Sequence, residues 1–162
     1  MGGTFGSGPV RSLAETIPGL LEGSGSVGSK VTIQKNIVVP LGPPLLVDSA
    51  TYKGVAFIAP CNGCMIKEIW IAAAVAPAGG TNTLNFDNYD ASANAARAAT
   101  TEHAVVGLTA KEGTKLTVST TQSNLIMDEG DVLNFTLVCG TQTVNGEGLT
   151  ANVIVAVPEI VV

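Results

Sequence analysis

From residue 31 onward, apolar and polar side chains alternate in short runs. Residues 83–87 put Leu84 and Phe86 on one face, and Leu116 and Val118 alternate against Thr117 and Ser119. Across residues 132–138, Leu133, Phe135 and Leu137 share a face opposite Asn134 and Thr136. Across residues 150–157, Val153, Val155 and Val157 do the same. A period of two marks a strand with one buried face. Residues 32–39 are rich in β-branched side chains and stop at Pro40, where Leu41-Gly42-Pro43-Pro44 forms a rigid connection. Residues 54–59 and 65–75 are apolar runs on either side of Pro60-Cys61-Asn62-Gly63-Cys64. Asn-Gly between two such runs predicts a hairpin. Residues 76–80 read as a loop, Asn145-Gly146 as a turn, and Pro158 as the end of the last strand. Seven or eight short strands on this count predict an all-β fold, a β-sandwich or jelly roll. Residues 91–99 depart from the pattern. They are alanine-rich, with Asp90 available as N-cap, and predict one short helix.

Residues 1–30 have a different character. Glycine occupies positions 2, 3, 6, 8, 19, 23, 25 and 28. Such a segment buries too little to offset its own ordering entropy, which predicts an extended, flexible arm ahead of a β-sandwich domain at residues 31–162. Pro9 can open a helical turn that places Val10, Leu13, Ala14 and Ile17 on one face, and Pro18-Gly19 stops it. Leu20 and Leu21 extend the apolar surface before the Gly-Ser stretch at 23–26. Phe5, Val10, Leu13, Ile17, Leu20 and Leu21 are therefore the candidate anchor for a partner chain. The competing expectation is that this patch packs on its own domain. Residues 1–30 lack the ordered basic, apolar and small-residue regions of a secretory leader, so the chain is expected to stay unexported.

Composition narrows the function. Charged residues make up 13% and apolar residues 46%, with four Phe, two Tyr and one Trp. The formal charge is −5, so no basic excess is available to hold nucleic acid. No run of 18 or more apolar residues exists to span a membrane as a helix. Cys61 and Cys64 form a CxxC, but only Cys139 and the sole histidine, His103, are left to complete a zinc site, and both are isolated in sequence. His103 has no nucleophile motif to serve. Asp128-Glu129-Gly130-Asp131 lacks calcium-loop spacing and reads as a turn feeding the next strand. Asn134-Phe135-Thr136 matches a glycosylation sequon, but in mid-strand. The sequence thus predicts no catalytic residues, no metal site and no cofactor.

The run Ala59-Pro60-Cys61-Asn62-Gly63-Cys64-Met65-Ile66-Lys67-Glu68-Ile69, followed by the Ala/Val stretch at 72–76 and Pro77-Ala78-Gly79, resembles a pattern in tailed-bacteriophage head proteins. Glu129-Gly130-Asp131-Val132-Leu133 resembles the Gly-Asp-x-Leu lead-in to a late strand of the same proteins. These are small β-sandwich decoration, or cement, proteins of the capsid exterior, and the resemblance covers roughly residues 50–157. It implies a non-enzymatic virion protein, often trimeric, seated on the outer capsid surface where major capsid subunits meet. A weakly charged surface rich in Ala, Val, Thr and Gly is cheap to desolvate, which independently predicts a homo-oligomer. Two other readings compete. A shell-forming jelly-roll capsid protein of a small virus would want a basic arm, and this one holds only Arg11 and Lys30 against Glu15 and Glu22. An adhesin or glycan-binding module would want an exposed aromatic row.

Overall fold

A computed structural model describes residues 21–22 and 29–161, with side chains described for residues 32–158. The fold is an all-β sandwich. The chain divides into two compact units, residues 1–33 with 158–162, and residues 34–157. In the first unit, strand β1 (Leu21–Glu22) runs antiparallel to the start of β2 (Ser29–Pro40), with Leu21 opposite Val31 and Glu22 opposite Lys30.

The second unit is the sandwich body. Its strands are the rest of β2, then β3 (Thr51–Ile58), β4 (Cys64–Ala72), β5 (Thr83–Asp90), β6 (Ala95–Ala98), β7 (His103–Ala104), β8 (Thr114–Lys115), β9 (Ile126–Met127), β10 (Val132–Val138) and, as far as Val157, β11 (Thr150–Val161). One sheet has the order β2-β11-β4-β8, with β9 also on β4. The other has the order β3-β10-β5-β6, with β7 also on β5. Each connection from β2 through β5, and again from β9 through β11, crosses from one sheet to the other. That alternation is jelly-roll connectivity.

The inner faces follow the period-two expectation where the ladder is regular. Leu84 and Phe86 on β5, Leu133, Phe135 and Leu137 on β10, and Val153, Val155 and Val157 on β11 are all buried. β4 is different, because Cys64, Ile66, Ile69 and Ile71 all point inward. The register explains this: Glu68 faces Ile154 while Ile66 faces Val155, leaving Lys67 as an extra residue. A bulge shifts the alternation by one, so both halves of the strand keep their isoleucines in the core. A matching shift on β3 leaves Ala56 between Val55, opposite Asn134, and Phe57, opposite Leu133.

Three sequence expectations are corrected here. The Asn62-Gly63 turn makes no hairpin, because β3 and β4 lie in different sheets. Gly63 has φ 82° while Asn62 is not among the positive-φ residues, which is type II geometry rather than the type I′ turn that closes hairpins. Second, residues 91–99 contain no helix. Residues 91–94 turn, with Asn94 at φ 52°, and β6 then pairs with β5, Ala98 opposite Asp87. Alanine's helical advantage is under about 1 kcal/mol per residue, and the open edge of β5 offers ladder hydrogen bonds that outweigh it. Third, Pro158 does not end β11, which continues to Val161. The ladder with β4 stops at Ala156 opposite Met65, so the missing N–H of Pro158 removes nothing from that ladder.

Gly54 shows how tight the body is. It lies opposite Phe135, and a Cβ there would fall 2.6 Å from the Phe135 ring. That ring packs tilted on Phe86, centroids 6.2 Å apart. Replacing Gly54 by Val should destabilise the fold by about 1–3 kcal/mol in chemical denaturation. Adding Phe135→Leu should relieve part of that loss, so the double mutant is more stable than the sum of the two single changes predicts.

Candidate functional site

The buried polar side chains come first, because they are where chemistry would have to start. Among the described residues these are Asn82, Asn88, Asp90, Thr100, Asp131 and Gln142. Every one of them bonds to backbone. Asp131 accepts from the Ala91 N–H at 2.9 Å through Oδ1 and from the Asp128 N–H at 2.9 Å through Oδ2. Its carbonyl accepts from Ala59 N–H at 2.9 Å, and Gly130 N–H returns a bond to the Ala59 carbonyl at 3.0 Å. Asn62 Oδ1 accepts from Glu129 N–H at 2.8 Å. One acidic turn thereby holds the β3–β4, β5–β6 and β9–β10 connections together. The sequence reading of residues 128–131 as a strand-feeding turn fits this arrangement, and its Gly130-Asp131 pair is the working part.

The other buried groups act in the same way. Asp90 accepts from Ala93 N–H at 2.8 Å and Ser92 Oγ at 2.7 Å, and pairs with Arg97. The capping residue seen in the sequence is real, but it caps a turn. The Ala93 amide first, then Ser92, hold the Asp90 carboxyl below the usual range. Asn82 donates to the Gly79 carbonyl at 3.1 Å and accepts from Gly140 N–H at 3.0 Å. Gln142 Oε1 accepts from Gly146 N–H at 3.0 Å. Thr100 Oγ1 accepts from Phe86 N–H at 2.9 Å, and Asn88 donates to the Ile126 carbonyl at 2.8 Å. Both ends of β5 are thus pinned, by Asn82 before it and Asp90 at its close.

The sequence candidates fall as follows. Phe5, Val10, Leu13, Ile17 and Leu20 lie outside the described residues, and the backbone of Leu21 sits in β1. His103 is half-buried in β7. Asn134 lies in the interior of β10, opposite Asp87 and Val55. Cys61 and Cys64 hold their sulfurs 3.8 Å apart, and burial first, then the Cys61 hydrogen bond, pushes the Cys64 thiol up to about 11. The structure does not bring Cys139, which follows β10, to that pair.

Sequence reasoning missed a set of exposed apolar side chains. Val55 and Ile58 stand on β3, 51% and 58% exposed. β3 pairs only with β10 among the described residues, so its other edge offers unpaired N–H and C=O groups. Leu45, Val47 and Val144 are also exposed, on two loops stitched by the Leu46 N–H to Gly146 carbonyl bond at 2.8 Å. The adjacency of Leu45-Leu46-Val47 to Pro43-Pro44 was a usable signal, because only the middle residue can be buried where a loop runs over the end of a sandwich.

Two shallow grooves mark the outer faces. One, of about 420 Å³, runs along β4 and β11 past Trp70, Gly113, Thr150 and Asn152. Trp70 Nε1 donates to Glu68 Oε2 at 2.8 Å, and Lys115 Nζ lies 2.5 Å from Glu68 Oε1 and 5.6 Å from the indole centroid. The Lys115 bond first, then Trp70, keep the Glu68 carboxyl low. The other groove, of about 390 Å³, is lined by Lys53, Val55, Asp87, Asn134 and Thr136. Burial raises the Asp87 carboxyl, partly offset by Asn85 Nδ2 donating at 2.8 Å.

No family model matches the chain, and no curated protein matches it. Among solved structures, a chain described as the cyanophage Pam1 capsid asymmetric unit is similar at 15% identity and a TM-score of 0.42, over 93% of this chain and 99% of that one.

Asp87 provides a pH test. Its raised folded-state pKa means that the charged form is disfavoured by folding, so it costs stability above that pKa and costs nothing below the unfolded value. Asp87→Asn should therefore stabilise the protein at pH 7, with the gain vanishing as pH falls below about 4. Denaturation curves at the two pH values check this.

Proposed function

We propose that this chain is a structural virion protein that decorates the outer surface of a bacteriophage capsid. It would stabilise the shell by bridging neighbouring major capsid subunits. The observation that carries the reading is how its side chains are distributed. Each buried polar side chain bonds to backbone, with Asn88 Oδ1 and Gln142 Nε2 left without a partner, while Val55, Ile58, Leu45, Val47 and Val144 face outward. A protein whose polar groups build a rigid body and whose apolar groups meet solvent is suited to contact rather than to chemistry. The sequence resemblance of residues 59–79 and 129–133 to head decoration proteins agrees with it.

In this reading the domain of residues 31–162 is the projecting body and residues 1–30 the docking arm. Phe5, Val10, Leu13, Ile17, Leu20 and Leu21 anchor the arm on a major capsid subunit. The free edge of β3 serves contacts between sister copies in a homotrimer. Linking three arms raises the effective concentration of each remaining contact once the first is made, so weak contacts suffice to brace a lattice.

A glycan-binding module keeps one observation in its favour, the Trp70 groove with Thr150 and Asn152 on its wall. Thr150 Oγ1 already donates to the Ala72 carbonyl at 3.4 Å, while Asn152 Oδ1 has no hydrogen-bond partner and is the acceptor left to orient a sugar.

Deleting residues 1–22 should leave a body that folds by circular dichroism but no longer co-sediments with phage shells. Retention of full shell binding by that truncation would remove the arm from the account. Ile58→Lys should leave the fold intact and shift the sedimenting species toward monomer. A wild-type chain that sediments as monomer at micromolar concentration would contradict the oligomer.

A further inference from the structure

We infer that Cys61 and Cys64 form a modification site, a dithiol that closes to an internal disulfide when the chain meets a low-molecular-weight disulfide. The inference is independent of the capsid reading. The two sulfurs are 3.8 Å apart, at the first and last positions of the Cys61-Asn62-Gly63-Cys64 turn. The ends of a β-turn lie within about 7 Å, close to the Cα window of roughly 4.4–6.8 Å that disulfides occupy. Gly63, at φ 82°, supplies the left-handed residue that brings the two ends together. Closure needs the sulfurs to approach to about 2.05 Å.

The surroundings assign each thiol a part. Cys64 is fully buried at the start of β4, fixed by its ladder position opposite Met127. Cys61 is half-buried on the loop, the more accessible of the two sulfurs. Cys139 follows the far end of β10, a strand of 7 residues and about 23 Å, so it does not compete.

The chemistry balances as two exchange steps. The Cys61 thiolate attacks a sulfur of the small disulfide, forming a mixed disulfide and releasing one small thiolate. Cys64 then loses its proton to solvent and attacks Cys61 Sγ, displacing the second small thiolate. Two electrons pass from the protein thiols to the small disulfide, and two small thiols leave. Burial raises the Cys64 thiol, so the second step is slow near neutrality and quickens with pH. The same burial makes Cys64 a poor leaving thiolate and shields the closed bond from reduction.

The bond would lock the turn that crosses between the two sheets. That turn is already tied to the acidic turn through Gly63 N–H to the Met127 carbonyl at 3.0 Å and Asn62 Oδ1 to Glu129 N–H at 2.8 Å.

The test uses the full native chain incubated with oxidised glutathione, quenched in acid, unfolded, alkylated and weighed. The expected product has lost two hydrogens, takes one alkyl group on Cys139, and gives a linked 61–64 peptide. Its rate of formation rises by about tenfold per pH unit between pH 7 and 9. Cys64→Ser should stop at a glutathione adduct on Cys61, and Cys61→Ser should take up no glutathione while folded. A wild-type chain that keeps all its thiols alkylatable, or that halts at the glutathione adduct, would overturn the inference.

Discussion

The body depends on one carboxylate. Asp131 bonds the Ala91 and Asp128 amides through its two side-chain oxygens, while its carbonyl holds Ala59. In a jelly roll, consecutive strands lie in different sheets, so the connections that cross between them have no hairpin ladder to satisfy their backbone groups. Their N–H groups must be met by something else, because a buried orphan donor costs about 1–3 kcal/mol. Asp131 meets that need for the turns at one end of the sandwich. Asn82 meets it for the Gly140 amide and Gln142 for the Gly146 amide, both in the loop that follows β10.

This constraint also shapes what the protein can do. A chain with 13% charged residues has few of them to deploy, and each buried polar side chain makes at least one bond to backbone. Among the exposed charged side chains stand large apolar ones, Val55 and Ile58 on an open strand edge and Leu45, Val47 and Val144 on the stitched loops. In the proposed reading these apolar side chains make the contacts with other polypeptides. The raised Asp87 carboxyl is a cost carried on the outer face of β5, in a groove lined also by Lys53, Asn134 and Thr136.

Strand existence was legible wherever a strand kept its period of two, as β5, β10 and β11 do. It was less legible in β4, where the bulge at Lys67 hides the alternation and the sequence reads as one long apolar run. Asn62-Gly63 announced a turn correctly and the wrong partner, because turn chemistry is local and sheet membership is set by distant strands. Asp90 likewise announced a cap, and Ala93 N–H and Ser92 Oγ donate to it, yet the alanines beyond it joined the edge of β5. The Gly-Asp lead-in was visible as a motif, but its three-way linkage was not, since Ala59 and Ala91 carry no signal of the bonds their amides make. The apolar anchor of residues 5–21 rests on sequence pattern and enters the function as a proposal.

The measurement that bears most directly on this account is amide hydrogen exchange at Ala59, Ala91 and Asp128, in the native chain and in Asp131→Ala. If Asp131 is the tie, these amides open together in the native chain, and all of them lose protection on substitution while Gly140, held by Asn82, keeps its own. Unequal, independent opening in the native chain, or protection of Ala91 and Asp128 that survives the substitution, would contradict the account.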